Sequence, residues 1–108
     1  MRLKGELKMK IRIYQVKKEC SRDFGFMRYE WFQKQGHEKM SRDMYNLVFD
    51  GNTNEKDLEG VYEEFNLRHP EGFKGHSLSV SDLVENEEGL FFCDSFGFKK
   101  VEWEDVAI

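Results

Sequence analysis

The chain has 108 residues, 39% apolar, 15% aromatic and 35% charged, which fits one globular domain with a ring-rich core and excludes a disordered polar chain. No apolar run approaches the ~20 residues that cross a bilayer, and no hydrophobic stretch follows the charged N-terminus, so neither a membrane contact nor a secretory signal is expected. The net charge of −4 is unevenly spread: residues 1–42 carry 12 Lys and Arg against 5 Asp and Glu, and residues 43–108 carry 5 against 16.

Residues 1–8 read as a flexible extension and residues 9–108 as a single domain, with Met9 a candidate functional start. Ile11, Ile13 and Gln15 alternate with Arg12, Tyr14 and Val16, the period of a β-strand. Cys20 to Phe26 reads as irregular, with a turn at Ser21–Asp23 and a breaker at Gly25. A helix is expected from Met27 to Gln35, carrying Tyr29, Trp31 and Phe32 and stopped by Gly36. Tyr45, Leu47 and Phe49 mark a second strand ended by Gly51, followed by a helix N-cap at Thr53 or Asn54.

Leu58, Val61, Tyr62 and Phe65 follow the i, i+3, i+4, i+7 spacing of an amphipathic helix. Pro70 ends it. A third strand is expected around Leu78 and Val80, with a bend at Asp82–Val84 and a hairpin loop at Glu85–Gly89. Leu90–Asp94 and Phe96–Trp103 read as the last two strands. The order predicts an α+β domain with about five mainly antiparallel strands and two helices packed on one face.

The chemistry-bearing residues form few recognisable constellations. Cys20, His37, His69, His76 and Cys93 lack metal-ligand spacing, so no metal or cofactor is expected. The two cysteines form no disulfide pattern, which points to a reduced, cytoplasmic setting. His76 with Asp82 or Asp94 and with Ser77, Ser79 or Ser81 has the residue types of a small hydrolase, but Ser and Asp clusters also satisfy backbone groups in turns. Gly72–Gly75 lacks the order of a phosphate loop and reads as a tight turn.

Lys10, Arg12, Lys17, Lys18 and Arg22, with Lys8 and Arg28 on the same edge and Tyr14, Phe24, Phe26 and Tyr29 nearby for stacking, form a candidate nucleic-acid surface. Against that stands a whole-chain pI near 5.4. Glu55, Asp57, Glu59, Glu63 and Glu64 make a negative helix that suits either solvent or a basic partner.

Two later segments carry a resemblance. His69 to Asp82 (His-Pro-Glu-Gly-Phe-Lys-Gly-His-Ser-Leu-Ser-Val-Ser-Asp) and Asp94 to Val101 (Asp-Ser-Phe-Gly-Phe-Lys-Lys-Val) resemble the signature of the YodL-like domain family of small bacterial and phage proteins. Ile13–Gln15, Arg22–Phe24 and Tyr45–Val48 add shorter matches, so the likeness spans about residues 11–101. It implies a place in phages and mobile elements and brings no catalytic residue or cofactor. It directs attention to a partner-binding surface at Gly75, His76, Ser77, Ser79, Ser81, Asp82, Asp94, Phe96 and Phe98.

In that surface Gly75 is expected to permit an unusual turn and Gly97 a close approach between strands. Asp82 and Asp94 are expected to accept backbone N–H bonds. The opposing expectation is that both motifs hold the fold together. The function expected is a non-enzymatic protein-binding module that modulates a host process for a phage or mobile element. A nucleic-acid-binding accessory protein is the alternative, and a small hydrolase comes third.

Overall fold

The computed structural model describes residues 8–105. The expected extension, residues 1–8, lies outside the described residues apart from Lys8. Strands β1 (Met9–Val16), β2 (Tyr45–Thr53), β3 (Leu83–Asn86), β4 (Gly89–Cys93) and β5 (Phe98–Val101) form one sheet in the order β2-β1-β3-β4-β5. All four neighbouring pairs are antiparallel. The expected α+β class with five antiparallel strands is therefore what the chain adopts. Three helices accompany the sheet: α1 (Lys18–Phe24), α2 (Tyr29–Lys34) and α3 (Leu58–Leu67).

The helices cover both faces of the sheet, not one. Ile11, Ile13, Phe49 and Val84 pack with Val61 and Phe65 of α3 and with Leu78. Leu83, Leu90, Phe92 and Val101 pack instead with Tyr29 and Phe32 of α2 and with Met40, Met44 and Tyr45. Leu83 and Val84 are neighbours in β3 and point to opposite faces, as the pleat requires. The cause is legible in the strands themselves. β3 and β4 carry large apolar residues at both parities, and a sheet apolar on both faces must be covered on both.

Rings fill each core at contact distance. Phe65 meets Phe49 and Phe73 with centroids 5.0 Å apart in both cases. On the other face Phe92 sits 5.0 Å from Phe32 and 5.2 Å from Tyr29. These tilted and edge-on geometries add to the area each ring buries.

Several boundaries differ from expectation, each for a local reason. α1 occupies a segment that reads as irregular, because it buries no residue and lacks a side-chain cap, so it leaves no periodic signal. α2 starts two residues later than expected, since Arg28 is still extended. The N-cap of α3 is Asp57, whose Oδ1 accepts from Gly60 N at 2.8 Å, and not Thr53 or Asn54. β2 continues through Gly51 to Thr53, opposite Met9 at the far end of β1.

Residues 70–82 contain no strand. They form a strap across the end of β1, and Leu78 is its buried apolar contact. The alternation of Leu78 and Val80 is thus the spacing of a turn that buries one residue, not of a ladder. The last strand begins at Phe98 and not at Phe96. After it, Glu102–Glu104 runs beside Met40, with Met40 N donating to Glu102 O and Glu104 N donating to Met40 O, both at 2.8 Å. Trp103 and Met40 form an isolated parallel bridge there.

Because the two cores lie on opposite faces, they should respond independently. Phe32→Leu and Phe65→Leu are each expected to cost about 1–1.5 kcal/mol. In chemical denaturation the double variant is expected to equal the sum of the two within about 0.5 kcal/mol. A large coupling energy would mean that the sheet does not separate them.

Candidate functional site

Three connections meet at one end of the sheet. They are the loop Gly25–Arg28 between α1 and α2, the strap ending at Asp82, and the turn Asp94–Gly97 between β4 and β5. Gln15 is at the centre. The strand period places it on the same face as Ile11 and Ile13, where the strap covers it. A buried amide needs partners for both ends. Gln15 Oε1 accepts from His76 N at 3.1 Å, while Nε2 donates to His76 O at 2.8 Å and to Asp82 Oδ2 at 3.0 Å.

Asp82 is 1% exposed. Its Oδ2 also accepts from Ser79 N at 2.8 Å, and its own N–H donates to Ser79 O at 3.1 Å. Burial pushes the carboxyl up to about 7, against the opposing pull of the bonds from Ser79 and Gln15. The loop from Ser79 to Asp82 is thereby closed on itself and fastened to β1.

Ser81 is buried in the left-handed region, with φ 85°. A non-glycine residue there is strained and needs outside support. Ser81 N donates to Cys93 O at 2.9 Å, Tyr45 Oη donates to Ser81 O at 2.8 Å, and Ser81 Oγ accepts from Phe26 N at 3.0 Å. Phe26 is itself left-handed, with φ 62°. Two strained residues thus support each other across the site. The Phe26 ring stays 63% exposed and lies 5.3 Å from the His76 imidazole.

Asp94 organises the third connection. Its Oδ1 accepts from Ser95 N at 2.8 Å and from Tyr29 N at 3.3 Å, and its N–H donates to Gly97 O at 2.9 Å. The turn projects Phe96, which is 98% exposed. Phe98 is different: it is half-buried against the α3-side core, near Tyr62. Asp82 and Asp94 therefore accept backbone N–H bonds as expected.

The two glycines exchange their expected roles. Gly97 holds the positive φ, +76°, with open space around it. Gly75 is the close approach: a Cβ there would overlap Gln15 Oε1 and come 3.2 Å from Val48 Cβ.

The hydroxyls are directed at the main chain. Ser79 Oγ donates to Ser77 O at 2.8 Å, and His76 Nδ1 lies 2.7 Å from the same carbonyl. Ser77 Oγ lies 3.4 Å from His69 Nε2. The Asp82 carboxyl faces Gln15 and Ser79, so His76, Asp82 and these serines do not line up as a nucleophile, base and orienting acid. Among the described residues no three His, Cys, Asp or Glu side chains come close enough to hold a metal ion. Cys93 is a buried free thiol, pushed up to about 12 by burial first and by Asp82 and Asp94 next.

Among the described residues, the basic side chains of Arg12, Lys34 and Arg68 pair with carboxylates. Arg12 lies between Asp50 (3.4 Å) and Glu85 (3.6 Å), which raises its guanidinium further. Lys10 and Arg12 sit on β1, Lys17 precedes α1, and Lys18 and Arg22 lie on α1. On the acidic helix Glu63 and nearby Glu55 approach Arg68, and Glu64 accepts from Thr53 Oγ1 at 2.6 Å.

The family model described as a YodL-like domain matches residues 10–103. The chain belongs to the YodL-like domain family. Within this YodL-like domain the match takes in all three meeting connections, from Gln15 to Gly97. No curated protein and no solved structure matches the chain. Gln15 and Tyr45 are site residues that the sequence did not single out, and it gave Phe26 only as a ring beside the candidate nucleic-acid surface. The signal for Gln15 was available, since a polar side chain at the inward parity of an apolar strand must have a buried partner. Nothing local marks Phe26, because its role depends on Ser81, far away in sequence.

Two predictions follow from the buried carboxyl. Gln15→Leu removes one of the two bonds to Asp82 Oδ2 and leaves the His76 backbone without its partners, and is expected to cost about 2–4 kcal/mol in urea unfolding. The folded chain keeps the Asp82 proton up to about pH 7, whereas the ordinary value is 3.8. The folded state therefore binds more protons across that window, and this group's contribution to stability falls as pH rises through it. Asp82→Asn removes that slope, so the melting temperature of the variant should gain on wild type between pH 5 and pH 8 by several degrees, at roughly 4–8 °C per kcal/mol. A gap that stays constant with pH would show that Asp82 is already ionised in the folded chain.

Proposed function

We propose that this YodL-like domain is a protein-binding module without chemistry of its own, and that it docks a partner where the three connections meet. The observation that carries this reading is Phe96. A phenylalanine 98% exposed at the tip of a tightly bonded turn contributes nothing to the core. A large apolar side chain held in water by a rigid support is a typical interface contact. Phe26 reinforces the point, since its exposed ring rests on a backbone conformation that costs about 1–3 kcal/mol to hold.

The polar motif residues support this face from beneath. Gly75, Ser79, Ser81, Asp82 and Asp94 act on the partner through the rings they position, while Phe26, His76 and Phe96 supply contact area. The reading includes a cytoplasmic setting, supported by the two free thiols Cys20 and Cys93. It also includes modulation of a host process for a phage or mobile element, which rests on the family resemblance.

The test is affinity capture of the tagged domain from bacterial lysate, with and without nuclease. One stoichiometric protein that survives nuclease and is lost in Phe96→Ser is the expected outcome. Phe96→Ser should change stability by no more than about 0.5 kcal/mol, as an exposed site does. Leu67→Ser, an exposed apolar change on α3, should retain the partner. Retention of every partner by Phe96→Ser, or capture that nuclease abolishes, would overturn the proposal.

A further inference from the structure

We infer, building on the protein-binding reading above, that the groove between Phe26 and Trp31 receives an apolar side chain from a short acidic segment of the partner protein. Phe26, Met27, Arg28, Glu30, Trp31 and Lys34 line one concave surface. Its two aromatic walls are fixed independently. The Phe26 backbone is held by its N–H bond to Ser81 Oγ at 3.0 Å, with the ring 5.3 Å from the His76 imidazole, and the Trp31 indole N–H donates to Asp23 O at 2.8 Å. Walls already in place need little ordering when a ligand enters. Met27 lines the groove between them with a polarizable side chain that adapts to apolar shapes.

The rim decides the sign of the ligand. Lys34 is paired with Glu30 at 3.2 Å, so their charges largely cancel. Arg28 makes no ion pair among the described residues, and its exposed guanidinium is left as the uncompensated charge at the mouth. A guanidinium matches a carboxylate in two-point geometry better than any other cation does. One uncompensated cation is too few to track a phosphate backbone, which favours a single peptide carboxylate over a nucleic-acid strand that would stack on the same rings.

The probes are two blocked tetrapeptides, Asp-Glu-Phe-Glu and its charge-inverted counterpart Lys-Arg-Phe-Lys, with an oligothymidine as third arm. Each is titrated into the isotope-labelled full chain and followed by amide chemical shifts. The acidic peptide is expected to move the amides of residues 26–34 saturably, and more weakly as salt is raised. Arg28→Glu should reduce its affinity about tenfold, the equivalent of ~1.4 kcal/mol, while Leu67→Ser, an exposed apolar change on α3, leaves it unchanged. Trp31→Ala, checked by its melting temperature, should abolish it. No movement at residues 26–34, equal binding of the basic peptide, or preferred binding of the oligothymidine would overturn the inference. If the acidic peptide fails while partner capture still depends on Phe96, the docking face stands and only its acidic preference falls.

Discussion

One buried amide holds one end of this sheet together. Gln15 is the single polar side chain on the inward parity of β1, and it connects that strand to His76 and Asp82, more than sixty residues away. A hydrogen bond between neutral groups contributes only about 0.5–1.5 kcal/mol net, but its loss in a dry interior costs more, because partners remain unsatisfied. The strap from Pro70 to Asp82 has few apolar contacts beyond Leu78 and Phe73. Its course over the sheet is therefore set by polar bonds, and these converge on Gln15 and Asp82. Gly75 belongs to the same constraint, because any side chain there would displace the amide.

From that fastening the remaining geometry follows in steps. Asp82 closes the turn from Ser79, and the closed turn forces Ser81 into a left-handed conformation. Ser81 is tolerated there because its three polar groups all find partners, one of them Phe26 N. Phe26 takes up a strained conformation in turn and presents its ring outward. Strain at the surface is thus supported by bonding in the interior, an arrangement that costs stability and holds the main chain at Phe26 in one conformation.

Much of the fold is legible in the sequence, and the limits are physical. α3 is readable because its apolar stripe is its main source of stability, and β1 because it alternates strictly. α1 is not, since it packs without burying any residue fully. The two-sided sheet is implied by Phe91, Phe92 and Cys93 in succession, a run that single-sided alternation does not produce. The candidate site is readable in part. The run from Gly75 to Asp82 and the pair Asp94 and Phe96 stand out as turn chemistry, and the structure brings them to one end of the sheet. Their bonding partners do not stand out, because Gln15, Tyr45 and Phe26 are ordinary residues in ordinary local contexts, and only the tertiary fold brings them together. Arg12 illustrates the reverse case: it looks available in the sequence and is paired with two carboxylates at the surface of the fold.

Cys93 has a consequence of its own. Its main chain is bonded to Ser81 and Asp82, so the sulfur is sealed beneath the strap, in surroundings where a thiolate scarcely forms. Thiolate is the reactive species towards alkylating and oxidising reagents. A closed domain should therefore leave this sulfur inert, and any modification it acquires records a moment when the lid above it had lifted. Alkylation of Cys93 in the native state would therefore count the openings of the strap.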